Sequence, residues 1–454
     1  MRCCAGHRLI VLLAAVLVVA GCGGGEGDAE RTETASLDSP ILLLGIDGAE
    51  WSVLEPLLEA GELPNLSRLI ENGASGELRS LEPRRRSPVI WATIATGKPP
   101  EEHGVAGFLS GSKGSRDISA TPLSSNMWEA PAFWDVYGDA GFSVGVVGWL
   151  VTWPAWEVNG FMVSQHVQYL ERFGTDDPER SVVYPHEHSG RIAPLVRTPP
   201  AITDEEMARF VNLDSELGME ALEGNNSQIL RRALSGDETA VGVTLELLQD
   251  DSLPDLMCVY LRGVDEVCHG FWIYMDPGTR PERDPEDDRS LWLDRQAEAL
   301  SGLIAEYYRY ADEQVGRILS RFPDDTTVVV CSDHGFRGPG DFGEHRPWMG
   351  EDQHALDGVV ILNGPGIEPG TRISNATVYD IAPTVLALGG LPVARDMQGR
   401  VLTEAFAASF VESNPVAYVE SYEDVRTFGD ASEPIESPVD DEVRERLRSL
   451  GYIE

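Results

Sequence analysis

Lysine is almost absent from this chain, since Lys98 and Lys113 are its only two in 454 residues. Arginine supplies nearly all of the positive charge, and 75 acidic residues against 35 basic ones leave a formal net charge of −40. This balance argues against a nucleic-acid-binding surface and against electrostatic attachment to anionic lipid. We interpret the acidity mainly as a solvated surface, with recruitment of metal cations as the alternative.

Cysteine is also scarce, and its six positions show no regular spacing. The sequence therefore predicts no disulfide framework, and Cys258, Cys268 and Cys331 are expected to be buried thiols beside apolar runs. The GIDG stretch from Gly45 lacks the spaced glycines of a dinucleotide-binding fingerprint. Internal repeats are lacking too, and the length and 42% hydrophobic content indicate a globular protein with a substantial core.

The amino terminus lacks an apolar run long enough to cross a bilayer comfortably. The run from Leu9 to Ala20 follows Arg2 and Arg8 and is typical of a secretory signal. The VAGC sequence ending at Cys22 resembles the lipobox of bacterial lipoproteins, with an ordinary signal peptide as the alternative. We predict a lipoprotein signal peptide over residues 1–21, an acylated tether over 22–39 and an extracytoplasmic protein anchored to a membrane.

Acidic and imidazole side chains stand at the ends of several apolar runs that are typical of buried strands. They are Asp47 after ILLLGI, Asp265 and His269 after LMCVYL, Asp333 and His334 after TTVVVC, and His354 ahead of the run at Val359. Because ligands of open α/β sheets bind at the carboxyl ends of strands, we predict that these residues line one rim of a mostly parallel sheet. Three carboxylates and three imidazoles would suit borderline divalent metals.

Ser87 stands before Pro88 and an apolar stretch that is typical of a helix, where the helix dipole favours developing negative charge.

Each of these candidate site residues also has a purely structural interpretation when taken alone. Asp47 and Ser87 could be helix caps, and the Asp333–His334 pair could mark only a turn after a strand. Arginines 84–86 could steer a phosphate, although we favour an exposed basic patch.

Other features carry weaker expectations. His186 and His188 are interpreted as part of a loop, because no matching carboxylate lies nearby to complete a metal site with them. His345 is a second candidate ligand, less favoured than His354 because its charged neighbours indicate an exposed loop. An inserted cap is predicted over about 159–250, where the strand pattern loosens. The acidic tail over residues 414–454, with a short amphipathic helix near 443–450, is expected to cover an edge.

The ordered motifs together resemble the alkaline phosphatase superfamily, and within it the type I phosphodiesterase/nucleotide pyrophosphatase family. The matching pieces are GIDGAEW, SPVIWATIATGKPPEEHGV, VDEVCHG, SDHGF, the H-x-x-D-G-V beginning at His354, and DIAPTVLALGGLPV. The resemblance covers nearly everything after the tether. It implies an alkaline-phosphatase-like three-layer sandwich over residues 40–454, with a mostly parallel central sheet, helices on both faces and the inserted cap.

The resemblance also implies a two-zinc site. One Zn²⁺ would be held by Asp265, His269 and His354, the other by Asp47, Asp333 and His334, and Ser87 would face both. The implied activity is hydrolysis of small phosphorylated substrates, with phosphodiesters expected, through a phosphoseryl intermediate.

Two departures from the family pattern bear on the substrate. The family usually has a threonine nucleophile and an asparagine shortly after the HG motif, whereas this chain has Ser87 and the sequence GVAGFLSG. Asn126 is a candidate substitute for that asparagine in binding substrate. The sequence after Ser87 does not fit the sulfatase pattern, so sulfate esters rank below phosphate esters. A phosphomonoesterase, a phosphoryl transferase or a non-catalytic surface lipoprotein with this fold are the alternatives.

Overall fold

A computed structural model describes residues 36–110, 120–173, 177–249, 253–275, 288–338, 350–428 and 433–453. The strands are β1 (Ile41–Ile46), β2 (Gly73–Arg79), β3 (Val144–Val147), β4 (Gly160–Val163), β5 (Val183–Tyr184), β6 (Leu256–Leu261), β7 (Thr327–Cys331), β8 (Gly335–Phe336), β9 (His354–Ala355), β10 (Asp357–Asn363), β11 (Thr371–Thr377), β12 (Val393–Ala394) and β13 (Tyr418–Val419). The α-helices are α1 (Trp51–Glu59), α2 (Pro64–Glu71), α3 (Ser87–Thr96), α4 (Pro100–His103), α5 (Phe133–Asp139), α6 (Ser189–Ile192), α7 (Asp204–Met207), α8 (Glu216–Ala221), α9 (Asn225–Leu247), α10 (Gly263–Met275), α11 (Asp288–Leu300), α12 (Leu303–Leu319), α13 (Ile381–Leu388), α14 (Ala408–Ser413) and α15 (Asp440–Ser449).

A nine-stranded sheet forms the centre of the molecule, in the order β11-β2-β10-β7-β1-β6-β3-β4-β5. β1 pairs in parallel with β6 on one side and with β7 on the other. β10 runs antiparallel to both of its neighbours, and β5 runs antiparallel to β4 at the edge. The mostly parallel sheet confirms the predicted α/β class.

Both faces of the sheet are covered by apolar layers. In β1 the side chains alternate, so that Leu42 and Leu44 belong to one buried cluster while Ile41 and Leu43 belong to the other. Such a strand is apolar on both faces because helices pack on each of them. This arrangement confirms the predicted three-layer sandwich.

The stretch predicted as an inserted cap is partly built into the central layers. β4 and β5 extend the sheet beyond β3, and the long helix α9 packs against α10 and β6. The predicted cap residues therefore contribute to the edge of the sheet and to one covering layer.

The end of the carboxyl-terminal segment packs against the chain that follows α4. Leu447, Leu450 and Tyr452 form a small apolar cluster with Leu109 and the adjacent Phe108, in the chain that follows α4. The segment therefore packs beside the residues that follow the Ser87 helix.

Among the residues described above, no helix is both long and apolar enough to cross a membrane. The predicted signal peptide, Cys22 and His345 lie outside the described residues.

Candidate active site

Three adjacent central strands deliver the predicted polar residues to one rim. Asp47 follows β1, Asp333 and His334 follow β7, and α10 directly after β6 carries Asp265 and His269. All of these side chains are buried, as are those of Ser87 and His354. The parallel pairing of β6, β1 and β7 places their carboxyl ends together, which is why residues far apart in the chain meet here.

The first group of possible metal ligands consists of Asp265, His269 and His354. Asp265 and His269 are four residues apart on α10 and share one face of the helix. The His269 Nε2 atom lies 3.2 Å from Asp265 Oδ1 and 3.2 Å from His354 Nε2. These are the three residues that the family resemblance assigned to one metal.

The second group consists of Asp47, Asp265 and His334, so that Asp265 belongs to both groups. His334 Nε2 lies 3.4 Å from Asp47 Oδ1, 3.4 Å from Asp333 Oδ2 and 3.8 Å from Asp265 Oδ1. Ser87 Oγ lies 3.4 Å from the same nitrogen. The structure thus brings all seven predicted residues into one cluster, with Asp265 at its centre.

Several buried ligand atoms of the cluster have no hydrogen-bond partner among the described residues. They are Asp47 Oδ1, Asp265 Oδ1 and Asp333 Oδ2. Buried carboxylate oxygens without donors are costly unless a cation compensates them. Carboxylate and imidazole ligands are those that zinc takes in proteins, so the residues present fit a metal centre.

Burial and the closeness of the carboxylates to one another also shift the pKa values of the cluster residues. Burial, and then the charge of Asp265, raises the pKa of Asp47 to about 7. Burial and the charge of Asp47 raise the pKa of Asp333 well above its ordinary value. Burial lowers the pKa of His334 to about 4, so this imidazole is neutral and has a lone pair for a metal.

Hydrogen bonds donated by the Nδ1 atoms orient two of the imidazoles. His334 Nδ1 donates to the Gly335 carbonyl at 3.1 Å, and His269 Nδ1 donates to Gln353 Oε1 at 2.5 Å. Each bond assigns the proton to Nδ1 and leaves the Nε2 lone pair facing the cluster.

Sequence reasoning missed three residues of the site. The Tyr260 hydroxyl donates to Asp47 Oδ2, Gln353 orients His269, and the Tyr452 hydroxyl contacts the Nε2 atoms of His269 and His354 at 2.8 and 2.9 Å. Two of them could have been identified from the sequence, because Tyr260 lies in the apolar run of β6 and Gln353 directly precedes His354. Tyr452 had no such signal.

Helix α3 places Ser87 at its first residue. All ten residues of this helix are buried, and it reaches the sheet closely because β1 has a glycine beneath it. A Cβ atom on Gly45 would lie 2.7 Å from the Trp91 ring, so a larger residue would push α3 and Ser87 away from the cluster.

The arginines before Ser87 do not form the exposed basic patch that we favoured. Arg86 is buried, and its Nη2 donates to the Tyr452 carbonyl at 3.4 Å. Arg84 is half-buried, and its charge is close enough to contribute to the lowered pKa of His354, which burial depresses first. The segment therefore directs positive charge toward the cluster.

Asn126 is tied to other parts of the chain. Its side-chain oxygen accepts from Ser124 at 2.6 Å, and its amide donates to the Glu433 carbonyl at 2.9 Å. His186 lies in a short 3₁₀ turn with His188 and contacts Ser181 Oγ at 2.9 Å. In the described parts of the chain, neither histidine belongs to a group of metal-ligand type.

Comparison with known proteins gives a family and several distant likenesses. A choline-sulfatase from Rhizobium meliloti (strain 1021) is 33% identical over 89 residues, which are 18% of this chain and only 17% of that relative. Phosphonoacetate hydrolase from Sinorhizobium meliloti 1021 aligns with a TM-score of 0.39 and 17% identity over 67% of this chain and 61% of the hydrolase chain. A putative sulfatase from Bacteroides thetaiotaomicron VPI-5482 aligns with a TM-score of 0.48 and 14% identity over 85% and 76% of the two chains.

The model of one family matches residues 41–355, which are more than half of the chain. The match includes Asp47, Ser87 and every histidine and aspartate of the cluster. The chain belongs to the type I phosphodiesterase / nucleotide pyrophosphatase family.

Proposed function

We propose that this protein is a metal-dependent hydrolase of phosphate esters, with phosphodiesters as its preferred substrates. The observation that carries the proposal is the position of Ser87 Oγ, 3.4 Å from His334 Nε2 and within a cluster of buried, unpartnered carboxylate oxygens. Asp265, His269 and His354 would hold one Zn²⁺, and Asp47, Asp333 and His334 the other. When bound, the two ions would acidify the Ser87 hydroxyl and stabilise charge on the entering and leaving oxygens.

Ser87 is suited to act as the nucleophile by its own surroundings. It begins α3, where the helix dipole stabilises the negative charge of an alkoxide. With both ions bound, the hydroxyl would be acidic enough to lose its proton to solvent near neutral pH, so no separate general base would be required. The alkoxide forms a bond to phosphorus while the ester oxygen leaves, and water then cleaves the phosphoseryl intermediate and restores Ser87.

Positive side chains support the binding of an anionic substrate. Arg84 and Arg337 lie close enough to His354 for their charges to add to the lowering of its pKa, which burial lowers first. The charge of Arg446 likewise contributes to the lowered pKa of Asp265. Arg86 is buried immediately before Ser87. In a protein of net charge −40, this local concentration of arginine favours a phosphate group at the site.

The direct test is hydrolysis of bis-(p-nitrophenyl) phosphate by the purified protein, with zinc content measured in parallel. We expect two Zn²⁺ per chain and loss of activity with a chelator. Ser87→Ala should lower kcat by at least about a thousandfold. Ser125→Ala removes a buried hydroxyl that donates to Pro154, outside the cluster, and should leave kcat unchanged. Activity that survives both chelation and Ser87→Ala would disprove the proposal.

Substrate class is tested with the same preparation. Rates for p-nitrophenyl phosphate, its diester and p-nitrophenyl sulfate separate a phosphodiesterase from a phosphomonoesterase and from a sulfatase. Formation of a new ester with an added alcohol would indicate a phosphoryl transferase. Two bound metals without turnover of any of these esters would favour a non-catalytic binding protein.

We also propose that the mature protein is a lipoprotein anchored through Cys22 on the extracytoplasmic side of a bacterial membrane. The VAGC sequence after an apolar run supports this proposal. Cells expressing the full chain should incorporate labelled palmitate into the protein, and Cys22→Ser should abolish the labelling. Labelling that persists in Cys22→Ser would contradict the proposed anchor.

A further inference from the structure

The carboxyl-terminal segment reaches the candidate metal centre through one side chain, Tyr452. Its hydroxyl lies 2.8 Å from His269 Nε2 and 2.9 Å from His354 Nε2, the two nitrogens that face the cluster. The side chain is 1% exposed, so the contact is an internal one. The family match ends at residue 355, so it assigns no role to this tyrosine.

The Tyr452 oxygen lies next to two of the three ligand atoms of this group. Ligands about 2.0–2.1 Å from a tetrahedral zinc lie about 3.3 Å from one another. The ligand atoms of Asp265, His269 and His354 are separated by 3.2, 3.2 and 3.8 Å. The Tyr452 oxygen is 2.8 and 2.9 Å from two of these atoms, so it adjoins the same ligand group at somewhat less than the usual spacing between zinc ligands.

Contacts along the whole segment hold Tyr452 in place. Near its start, the Ile435 amide donates to Ser124 Oγ at 2.7 Å. In α15, Ser449 Oγ accepts from Arg232 Nη2 at 2.6 Å. The ring of Tyr452 packs on Phe108, with centroids 4.8 Å apart.

An ion pair between a buried glutamate and a half-buried arginine fixes α15 next to the metal-ligand helix. Arg446 Nη2 lies 2.8 Å from Glu266 Oε1, and Glu266 is the residue that follows Asp265 on α10. Breaking an ion pair of this kind is unfavourable because the glutamate is buried. The carboxyl-terminal segment is therefore attached both to the metal-ligand helix and to the chain that follows α4.

We propose that Tyr452 is the fourth ligand of the metal held by Asp265, His269 and His354, so that the carboxyl-terminal segment 433–453 closes this metal position. The inference rests on the proposed function, because it requires that the cluster bind metal. A catalytic zinc keeps one position open for water or substrate, whereas a fourth protein ligand fills that position. An anion that binds this metal must therefore displace the Tyr452 hydroxyl.

The test uses the full mature chain loaded with Co²⁺ in place of zinc, whose visible absorption reports the ligand set. Tyr452→Phe removes only the hydroxyl. We expect a changed Co²⁺ spectrum, Co²⁺ affinity at one site weakened about tenfold, and orthophosphate bound more tightly. Tyr137→Phe is the matched control, because this buried hydroxyl donates to the Val385 carbonyl at 2.7 Å and should change none of these quantities.

A second variant keeps the test informative if Tyr452→Phe does not fold. Leu447→Ala loosens the packing of α15 on Leu109 and should also tighten orthophosphate binding. A Co²⁺ spectrum unchanged by Tyr452→Phe would overturn the inference. So would weaker orthophosphate binding, since the hydroxyl would then contact the anion instead of excluding it.

If the proposed metal site itself were wrong, the same Co²⁺ experiment would give a different result. In that case the wild-type protein would bind no Co²⁺, or His269→Ala would bind it as the wild type does. If Co²⁺ binding depends on His269 but not on Tyr452, the proposed metal site stands and only the role of Tyr452 is wrong.

Discussion

At the scale of single residues, the orientation of His269 depends on a glutamine that ligates nothing itself. Gln353 accepts from His269 Nδ1 at 2.5 Å and donates to the His269 carbonyl at 3.2 Å. The pair fixes both the proton position and the ring plane. Residues that orient metal-ligating histidines in this way contribute to metal affinity without touching the ion.

Replacing this glutamine should therefore weaken metal binding. We expect Gln353→Leu to lower the affinity for Zn²⁺ by about 10- to 100-fold, measured by competition with a chromophoric chelator. Gln314→Leu is a suitable control, because Gln314 is also buried but accepts from Arg317 on the same helix. Equal affinities in the Gln353 variant and the wild type would show that the bond does not orient His269.

His103 links α4 to α3 and should make the fold sensitive to acid. Its Nδ1 accepts from the Val105 amide at 3.2 Å, and its Nε2 donates to Thr93 Oγ1 at 3.1 Å. Burial lowers the pKa of His103 to about 4, from an ordinary value of 6.5. Between these pH values the unfolded chain binds a proton that the folded chain does not, so stability falls as pH falls.

The measurement is the free energy of unfolding by urea between pH 7 and pH 4. The contribution of His103 is complete above pH 6.5, and about 3 kcal/mol of it should be lost by pH 4. His103→Gln cannot titrate and should show a correspondingly smaller loss. If the free energy of unfolding fell equally with pH in the wild type and in His103→Gln, the prediction would be wrong.

At the scale of elements, the ligand helix α10 begins on a buried aspartate of another helix. Asp237 of α9 accepts from the amides of Arg262 and Gly263 at 3.1 Å each, and its other oxygen accepts from Tyr307 at 3.0 Å. The first turn of a helix has free amide groups, and here a distant carboxylate satisfies them. The position of Asp265 and His269 on α10 therefore depends on Asp237.

Removing this carboxylate should affect both stability and the site. We expect Asp237→Ala to lower the free energy of unfolding by about 1–3 kcal/mol, because it leaves buried amides without acceptors, and to weaken Zn²⁺ binding. Asp312→Ala is the matched control, since Asp312 accepts in the same way from the amides of Asn65 and Leu66 in α2. That variant should lose stability and keep its metal affinity. If Asp237→Ala kept the Zn²⁺ affinity of the wild type, the contact between Asp237 and the start of α10 would not be needed to position the metal ligands.

At the scale of the whole molecule, the net charge of −40 opposes the compact state by self-repulsion. Added salt screens this repulsion, since the Debye length falls from about 10 Å at 0.1 M to about 3 Å at 1 M. We expect the thermal midpoint to rise by several degrees between about 0.1 and 1 M NaCl. The rise should shrink at pH 5, where more carboxylates are protonated, and a fall in the midpoint at neutral pH would contradict the prediction.

The sequence by itself determined the class of fold, the strands and the identities of the residues at their ends. β1, β6 and β7 could be predicted because each is a short apolar run that ends in a polar residue and is followed by a helix or turn. These features are local, and the order of the motifs along the chain was enough to indicate one shared rim and the family to which it belongs.

Only the tertiary structure decided how the rim is shared and which residues surround it. Asp265 lies between two groups of possible ligands, Arg86 is buried instead of exposed, and Tyr452 meets residues 98 and 183 positions away in the chain. Contacts over such separations depend on how helices and strands pack, which no local pattern encodes. The polar residues of the site could therefore be predicted from their positions at the strand ends. Their neighbours could not, because those contacts depend on how the carboxyl-terminal segment packs onto the site.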